Sequence, residues 1–180
     1  MAKKAAGGEG VDDDPDREVV MEAAMMTGMV EEGCNFAKRS GMKVREVTED
    51  GRIDMVLEDV PANMNAFGLT HAGAICGLVE TAGGMAIFHH LDPRQFIVLN
   101  TVLNIRFVAM PSGELSCKAK VTGGEALDLF EELRHSGKAD KAIDIKVIDA
   151  GGKMVAEAQA TFRLMPTPEK FKATFAAMMG

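Results

Sequence analysis

Residues 65–90 read NAFGLTHAGAICGLVETAGGMAIFHH. From Ala72 to Phe88 the stretch has the look of a buried helix, and the helical reading runs over 71–90 before Asp92-Pro93 ends it. Several of its residues are poor helix formers. Gly73, Gly77, Gly83 and Gly84 each cost about 0.8–1 kcal/mol relative to Ala in a helix interior, so together they give up roughly 3–4 kcal/mol. The only carboxylate, Glu80, has no Lys or Arg in the stretch to pair with. At about 100° per residue, Glu80 shares its face with Gly73, Cys76, Gly77, Gly83, Gly84 and Ile87. Ile75, Leu78, Val79, Ala82 and Met85 lie opposite, as ordinary core. The expectation is an acid on a bare face, where another backbone or a ligand approaches closely. An ion pair with a strand Lys or Arg, or a wet edge, would also accommodate it. The favoured reading is a carboxylate with a shifted pKa, acting as base or nucleophile.

The residues before the helix extend that reading. Thr70 is expected to cap it, leaving the N–H groups of His71, Ala72 and Gly73 at the positive end of the helix dipole. Such donors stabilise an oxyanion. Asn65, in the loop leading in, offers an amide to orient a carbonyl or a water.

Outward from this stretch, the elements change type. Upstream, residues 17–41 place Val19, Val20, Ala23, Met26, Met29 and Val30 at helical spacing, with Gly41 as the stop after Lys38 and Arg39. Residues 42–60 alternate on either side of Glu49-Asp50-Gly51, the signature of a hairpin. Downstream come alternating runs over 95–110, 114–124, 141–149 and 153–165, interrupted by Pro111-Ser112-Gly113 and Ala150-Gly151-Gly152. Between the second and third runs, Ala126, Leu127, Leu129, Phe130 and Leu133 fit a short amphipathic helix. Strands gathered around one dominant helix imply an α+β fold, an antiparallel sheet wrapped around a long central helix with an N-terminal helical extension. The expected division is a disordered tail over 1–16, a helix over 17–41, the main domain over 42–166 and a helix or tail over 167–180.

Composition removes other classes. A net charge of −7, with no Trp and no Tyr, gives no basic stripe or stacking platform for nucleic acid. The three cysteines, Cys34, Cys76 and Cys117, are scattered and odd in number, which argues against a disulfide framework or zinc site and for a reducing, cytoplasmic setting. The longest apolar run, 72–88, is short of the roughly 20 residues a membrane span needs. His89, His90 and Asp92 read as a helix C-terminus rather than a metal site. Arg106, Lys118, Lys120 and Arg163 lie on strands and are read as solvated faces before they are read as phosphate contacts.

The motif itself resembles the signature of the hotdog-fold thioesterases of the PaaI type, N-x-x-G-x-x-H-G-G followed by an Asp or Glu within the helix. Asn65, Gly68, His71, Gly73 and Glu80 match in register, and the likeness covers about residues 42–165. The HAGA variant, the Glu in the Asp position and the helical stretch 125–136 are most similar to a DUF4442-like subgroup of hotdog proteins. The resemblance implies hydrolysis of an acyl-CoA, or a related acyl thioester, to free acid and CoA. In it the thioester carbonyl accepts the N–H of Ala72 at an oxyanion and substrate-binding end that includes His71 and Gly73. Glu80 activates water or attacks directly, and Asn65 holds the thioester or the water. Asn100 and Thr101 lie about where some members carry a Ser or Thr on the next strand. The resemblance further implies a homodimer or dimer of dimers with a site shared between subunits, no metal, and no cofactor beyond the CoA moiety of the substrate. Ala72 departs from the usual Gly: its N–H survives, but a methyl crowds the approach. A non-catalytic acyl-CoA-binding or sensing protein, and an enoyl-CoA hydratase or dehydratase on the same fold, are the alternatives.

Overall fold

The computed structural model describes residues 23–92 and 94–173. The tail expected over 1–16 lies outside them, as do the start of the expected 17–41 helix and residues 174–180; within the expected C-terminal segment, 169–173 are helical.

The chain begins with α1 (Ala23–Gly28), a wide turn (Met29–Gly33) and α2 (Asn35–Arg39), followed by the hairpin strands β1 (Met42–Val47) and β2 (Arg52–Leu57). A short turn (Pro61–Asn63) leads to α3 (Ala72–Phe88), and β3 (Phe96–Phe107), β4 (Leu115–Lys120), α4 (Gly123–Ser136), β5 (Ala139–Asp149) and β6 (Met154–Pro166) complete the fold. The N-terminal extension is therefore helical but not continuous. Cys34 adopts an extended backbone between the wide turn and α2. The extension buries Met26, Val30 and Ala37.

All strands join one antiparallel, six-stranded sheet in the order β1-β2-β4-β5-β6-β3. Alternate residues of β5 and β6, such as Ile143, Ile145, Val147, Ala158, Ala160 and Phe162, are buried on one face. That period-2 pattern is what commits one side of the sheet to the core. α3 packs against β2, β3, β4, β5 and β6 and buries Ala74, Ile75, Leu78, Val79, Ala82, Met85 and Ala86 there. This is the hotdog arrangement, a sheet wrapped around a central helix.

Two local features hold the end of α3 in place, and a third starts α4. Behind its C-terminus, the buried His90 Nε2 lies 2.7 Å from the Val121 carbonyl oxygen at the end of β4. Gly51, at φ +81° in the β1–β2 turn, lets that turn close over the same carbonyl, where a Cβ would have no room. α4 begins with a capping box, in which Thr122 Oγ1 accepts the Glu125 N–H while the Glu125 carboxylate accepts the Thr122 N–H at 2.8 Å. Ala126, Leu129 and Leu133 form its buried stripe, with Phe130 edge-on to Phe96. Leu127, expected on that stripe, points to solvent, being 55 % exposed. No helix among the described residues is long and apolar enough to cross a membrane.

The glycines of α3 are occupied differently from the expectation of one bare face. A Cβ on Gly83 would come 2.5 Å from Phe162 Cε2, and one on Gly77 would come 2.6 Å from Phe36 Cε1 and 3.0 Å from the Met42 methyl. Gly83 and Ile87 are buried, and the ring of Phe162 covers Gly83 from β6. Side chains of the same chain thus take these positions. The helix propensity lost at Gly83 is offset by the burial of an aromatic ring against bare backbone, where Phe162 is 1 % exposed. Gly84 is looser, with its virtual Cβ 3.8 Å from Phe162 Cε1.

The two neighbours should respond oppositely to the same change. Gly83→Ala overpacks an enclosed ring and is expected to cost about 1–3 kcal/mol despite the better helix former. Gly84→Ala has room and should gain up to about 1 kcal/mol. Chemical denaturation of the two variants measures both; equal effects would remove the packing explanation.

Candidate active site

The site residues sit on the loop before α3, on the first turn of that helix, and halfway along it. Asn65 fixes the loop. Its Oδ1 accepts the N–H groups of Phe67 at 2.9 Å and Leu69 at 3.2 Å, and its backbone N–H donates to the Leu69 carbonyl at 2.8 Å. Gly68, at φ +71°, permits this tight turn. With Oδ1 engaged, the Asn65 Nδ2 group is left as a donor that no acceptor among the described residues takes.

Helix α3 is capped by His71 and not by Thr70. The bridge pairing of Met64 with Thr70 holds Thr70 in extended backbone and buries it, so the helix starts one residue later. His71 Nδ1 then accepts the Gly73 N–H at 2.9 Å, and a Cβ on Gly73 would crowd that ring nitrogen at 3.0 Å. Acceptance at Nδ1 puts the proton of the neutral ring on Nε2. The His71 N–H donates to the Asn63 carbonyl at 2.6 Å. Of the three N–H groups expected to be open, those of His71 and Gly73 are therefore engaged. Ala72, exposed at the first position of α3, keeps a backbone N–H that no acceptor among the described residues takes. The methyl of Ala72 stands beside the one donor that remains available.

Glu80 is exposed in the single chain, and among the described residues it has no ion pair. Its nearest polar neighbour is the Thr81 hydroxyl, 3.5 Å from Oε2. Partial burial of the carboxyl pushes its pKa above the ordinary carboxylate value, and the Thr81 hydroxyl offsets this only in part. The four strand cations expected on solvated faces are all paired: Arg106 with Glu157, Lys118 with Asp54, Lys120 with Asp50, and Arg163 with Asp140.

Asn100 and Thr101 form a bulge in β3, at which the register with β6 slips. Their side chains stitch it closed, with Asn100 Nδ2 donating to the carbonyls of Val102 and Thr161 at 3.3 Å each and Thr101 Oγ1 donating to that of Thr161 at 3.1 Å. Asn100 stands directly opposite Phe162, on the helix-facing side of the sheet. Among the described residues, no group of three or more His, Cys, Asp and Glu is arranged to hold a metal ion. Cys34, Cys76 and Cys117 are free thiols, and burial drives that of Cys117 strongly upward.

Two contributors carry no motif signal. Asn63, 5 % exposed, donates from Nδ2 to the Ser40 carbonyl at 2.6 Å and receives the His71 N–H, which ties the site loop to the N-terminal extension. Phe36 covers Gly77, one turn from Glu80. Only a long-range contact identifies either.

The raised carboxyl predicts a stability effect with a definite sign. The folded chain holds the Glu80 proton more tightly than the unfolded chain does, so stability is fullest below the unfolded carboxylate pKa, about 4.3, and falls as pH rises through the folded value. Glu80→Gln should therefore raise the melting temperature modestly at pH 7, and the gain should vanish near pH 4. Thermal melts across that range measure it, and a loss of stability at pH 7 would contradict the unpaired state of Glu80.

The chain matches the family model of DUF4442, a domain of unknown function, over residues 23–164. No curated protein matches it. Its fold is similar to that of PA5026 from Pseudomonas aeruginosa, a protein of unknown function and probable thioesterase, at a TM-score of 0.75 and 24% identity over 84% of this chain and 100% of that one. It is also similar to a mutant of the thioesterase PA1618 from the same organism, at 0.65 and 17% identity over 83% of this chain and 97% of the other. The thioesterase HI1161 from Haemophilus influenzae gives 0.60 and 18% identity over 77% and 88%. At such identities the likeness is one of fold. With most of its length under one family model and its helix-wrapped sheet matching these structures, the chain belongs to the DUF4442 family and has the hotdog fold.

Proposed function

We propose that the protein hydrolyses an acyl-CoA, or a related acyl thioester, to the free acid and the thiol. The observation that carries this reading is the pairing of an unpaired, pKa-raised carboxylate, Glu80, with an unengaged N–H at the positive end of the same helix, Ala72. The thioesterase names of PA1618 and HI1161, which share the fold, support it.

Thioester hydrolysis needs a site for the developing oxyanion and a base for water. The Ala72 N–H, with the dipole of α3 behind it, serves the first. The carbonyl carbon gains the water oxygen as the C–S bond breaks, and the thiolate leaves. Glu80 takes the proton from water, or attacks the carbonyl itself to give an anhydride that water opens. Its raised pKa makes it a stronger base than an ordinary carboxylate. The Nδ2 group of Asn65, held by the two bonds to Oδ1, orients the thioester or the water.

Ala72 and Glu80 of one chain cannot both serve one carbonyl. They are eight residues apart, about 12 Å along the helix axis, and the tilt of the Glu side chain toward the N-terminus recovers only part of this. The active unit is therefore a homodimer or a dimer of dimers in which Glu80 of one subunit works with Asn65 and Ala72 of another. β3 is suited to the contact. It is a twelve-residue edge strand with Leu99, Val102 and Phe107 each about half exposed, and its free edge, interrupted by the bulge at Asn100 and Thr101, is available for pairing.

Two experiments test this. Proline fits the first position of a helix, and His71 already has ψ near 136°, so Ala72→Pro deletes the one N–H and leaves the fold intact. Thiol release from an acyl-CoA panel should fall about 10²–10³-fold in that variant and be lost in Glu80→Ala. Undiminished turnover in Glu80→Ala would end the role assigned to it. Tight acyl-CoA binding without thiol release would favour a binding or sensing protein, and hydration of crotonyl-CoA a hydratase. In sedimentation, Val102→Asp should convert the oligomer to monomers and abolish turnover together; an active monomer would rule out the shared site.

A further inference from the structure

We infer that Phe36 is the end-stop of the acyl pocket and selects short acyl groups; this rests on the thioester reading above. Gly77 and Gly83 stand about 60° to either side of Glu80 around α3. An aromatic ring lies on each. On the Gly83 side, Phe162 is 1 % exposed and enclosed by the sheet, with Ile145 against the same glycine. That side is full. On the Gly77 side, the ring of Phe36 lies as close to the helix backbone, yet Phe36 is 54 % exposed. The outer face of the ring is therefore open, one helical turn from the unpaired carboxylate.

The chemistry gives the ligand its direction. When the carbonyl carbon is within reach of Glu80, the acyl group must run along the surface of α3 to one side or the other. The Gly83 side is closed by Phe162. The Gly77 side is apolar: it offers the Phe36 ring, packed with the buried Met42 methyl over the same glycine, and the Thr81 hydroxyl is turned to the Met42 sulfur at 3.7 Å. The acyl chain therefore meets Phe36 within about one helical turn of the reacting carbon. The ring stands across that path, between the open helix face and Met42 at the start of β1. It covers a short acyl group and blocks a long one.

The backbone that carries Phe36 is anchored. The Val44 N–H donates to Glu31 Oε1 at 3.2 Å, and the Ser40 carbonyl accepts from Asn63 Nδ2 at 2.6 Å, so the extension is tied to β1 on one side and to the site loop on the other. The N-terminal extension thus contributes a wall to the pocket as well as cover to the core.

The test compares wild type, Phe36→Ala and Phe36→Leu on acyl-CoAs of two to twelve carbons. Thiol release is measured for each, and calorimetry follows S-alkyl-CoA thioethers of the same lengths, which bind without reacting. Wild type should prefer short chains. In Phe36→Ala the ratio of kcat/KM for octanoyl- to butyryl-CoA should rise at least about tenfold, as should the matching ratio of thioether affinities, since each methylene newly covered is worth about fourfold. Phe36→Leu should shift both ratios the same way by less, and it guards against a folding defect in the Ala variant. A parallel loss at every length, or an unchanged profile, overturns the end-stop. If wild type binds thioethers but releases no thiol, the hydrolytic reading falls and the thioether series still decides the role of Phe36. If the thioethers do not bind, both fall.

Discussion

Two phenylalanine rings lie on bare backbone of α3, Phe162 at Gly83 and Phe36 at Gly77, and the rest of the structure is arranged around that approach. A helix can lie this deep against a sheet only where a Cβ is missing, and the missing Cβ costs helix propensity. Packing of the rings returns that cost as buried aromatic surface. It also isolates Glu80. The residues flanking it around the helix are glycines filled by aromatic rings, so no cation from the sheet pairs with the carboxylate, and its charge is left partly desolvated.

The same economy operates at the helix N-terminus. His71 caps with its ring, taking the Gly73 N–H, while its own N–H goes to Asn63. That division leaves Ala72 with an open donor at the point where the helix dipole is most positive. A helix start usually satisfies its spare donors with a cap and water; here the cap is placed so that one donor faces outward from an ordered loop. Gly73 is needed because a side chain there would crowd the His71 ring, a purpose separate from the approach of any ligand.

For the reaction proposed above, the site is incomplete within one copy. The central helix carries its donor and its acid about 12 Å apart along its axis, a spacing that a single helix cannot shorten. The edge strand β3 closes on β6 on one side and leaves its other edge open, with a bulge at Asn100 and Thr101 that increases its local twist. The proposed dimer would supply the missing proximity without any change in the fold. The N-terminal extension is tied to β1 on one side and to the site loop on the other.

Much of this was legible in the sequence. The extent of α3, the hairpin at Gly51, the four later strands and the α4 helix follow from hydrophobic period and turn residues, which act over a few positions. The single unpaired acid and the Asn-to-His loop were equally plain, because they are oddities of composition in an otherwise apolar run. What the sequence could not decide was which neighbour fills each glycine. The spacing placed Gly77, Gly83 and Glu80 on one face, but Phe36 and Phe162 are 41 and 79 residues away along the chain from the glycines they cover. Nor did it decide between Thr70 and His71 as the cap, since the Met64–Thr70 bridge that settles it belongs to the folded loop. The sequence by itself determined the elements and the unusual acid; tertiary packing alone decided which groups remained unsatisfied, because that depends on what every other residue in reach has already bound.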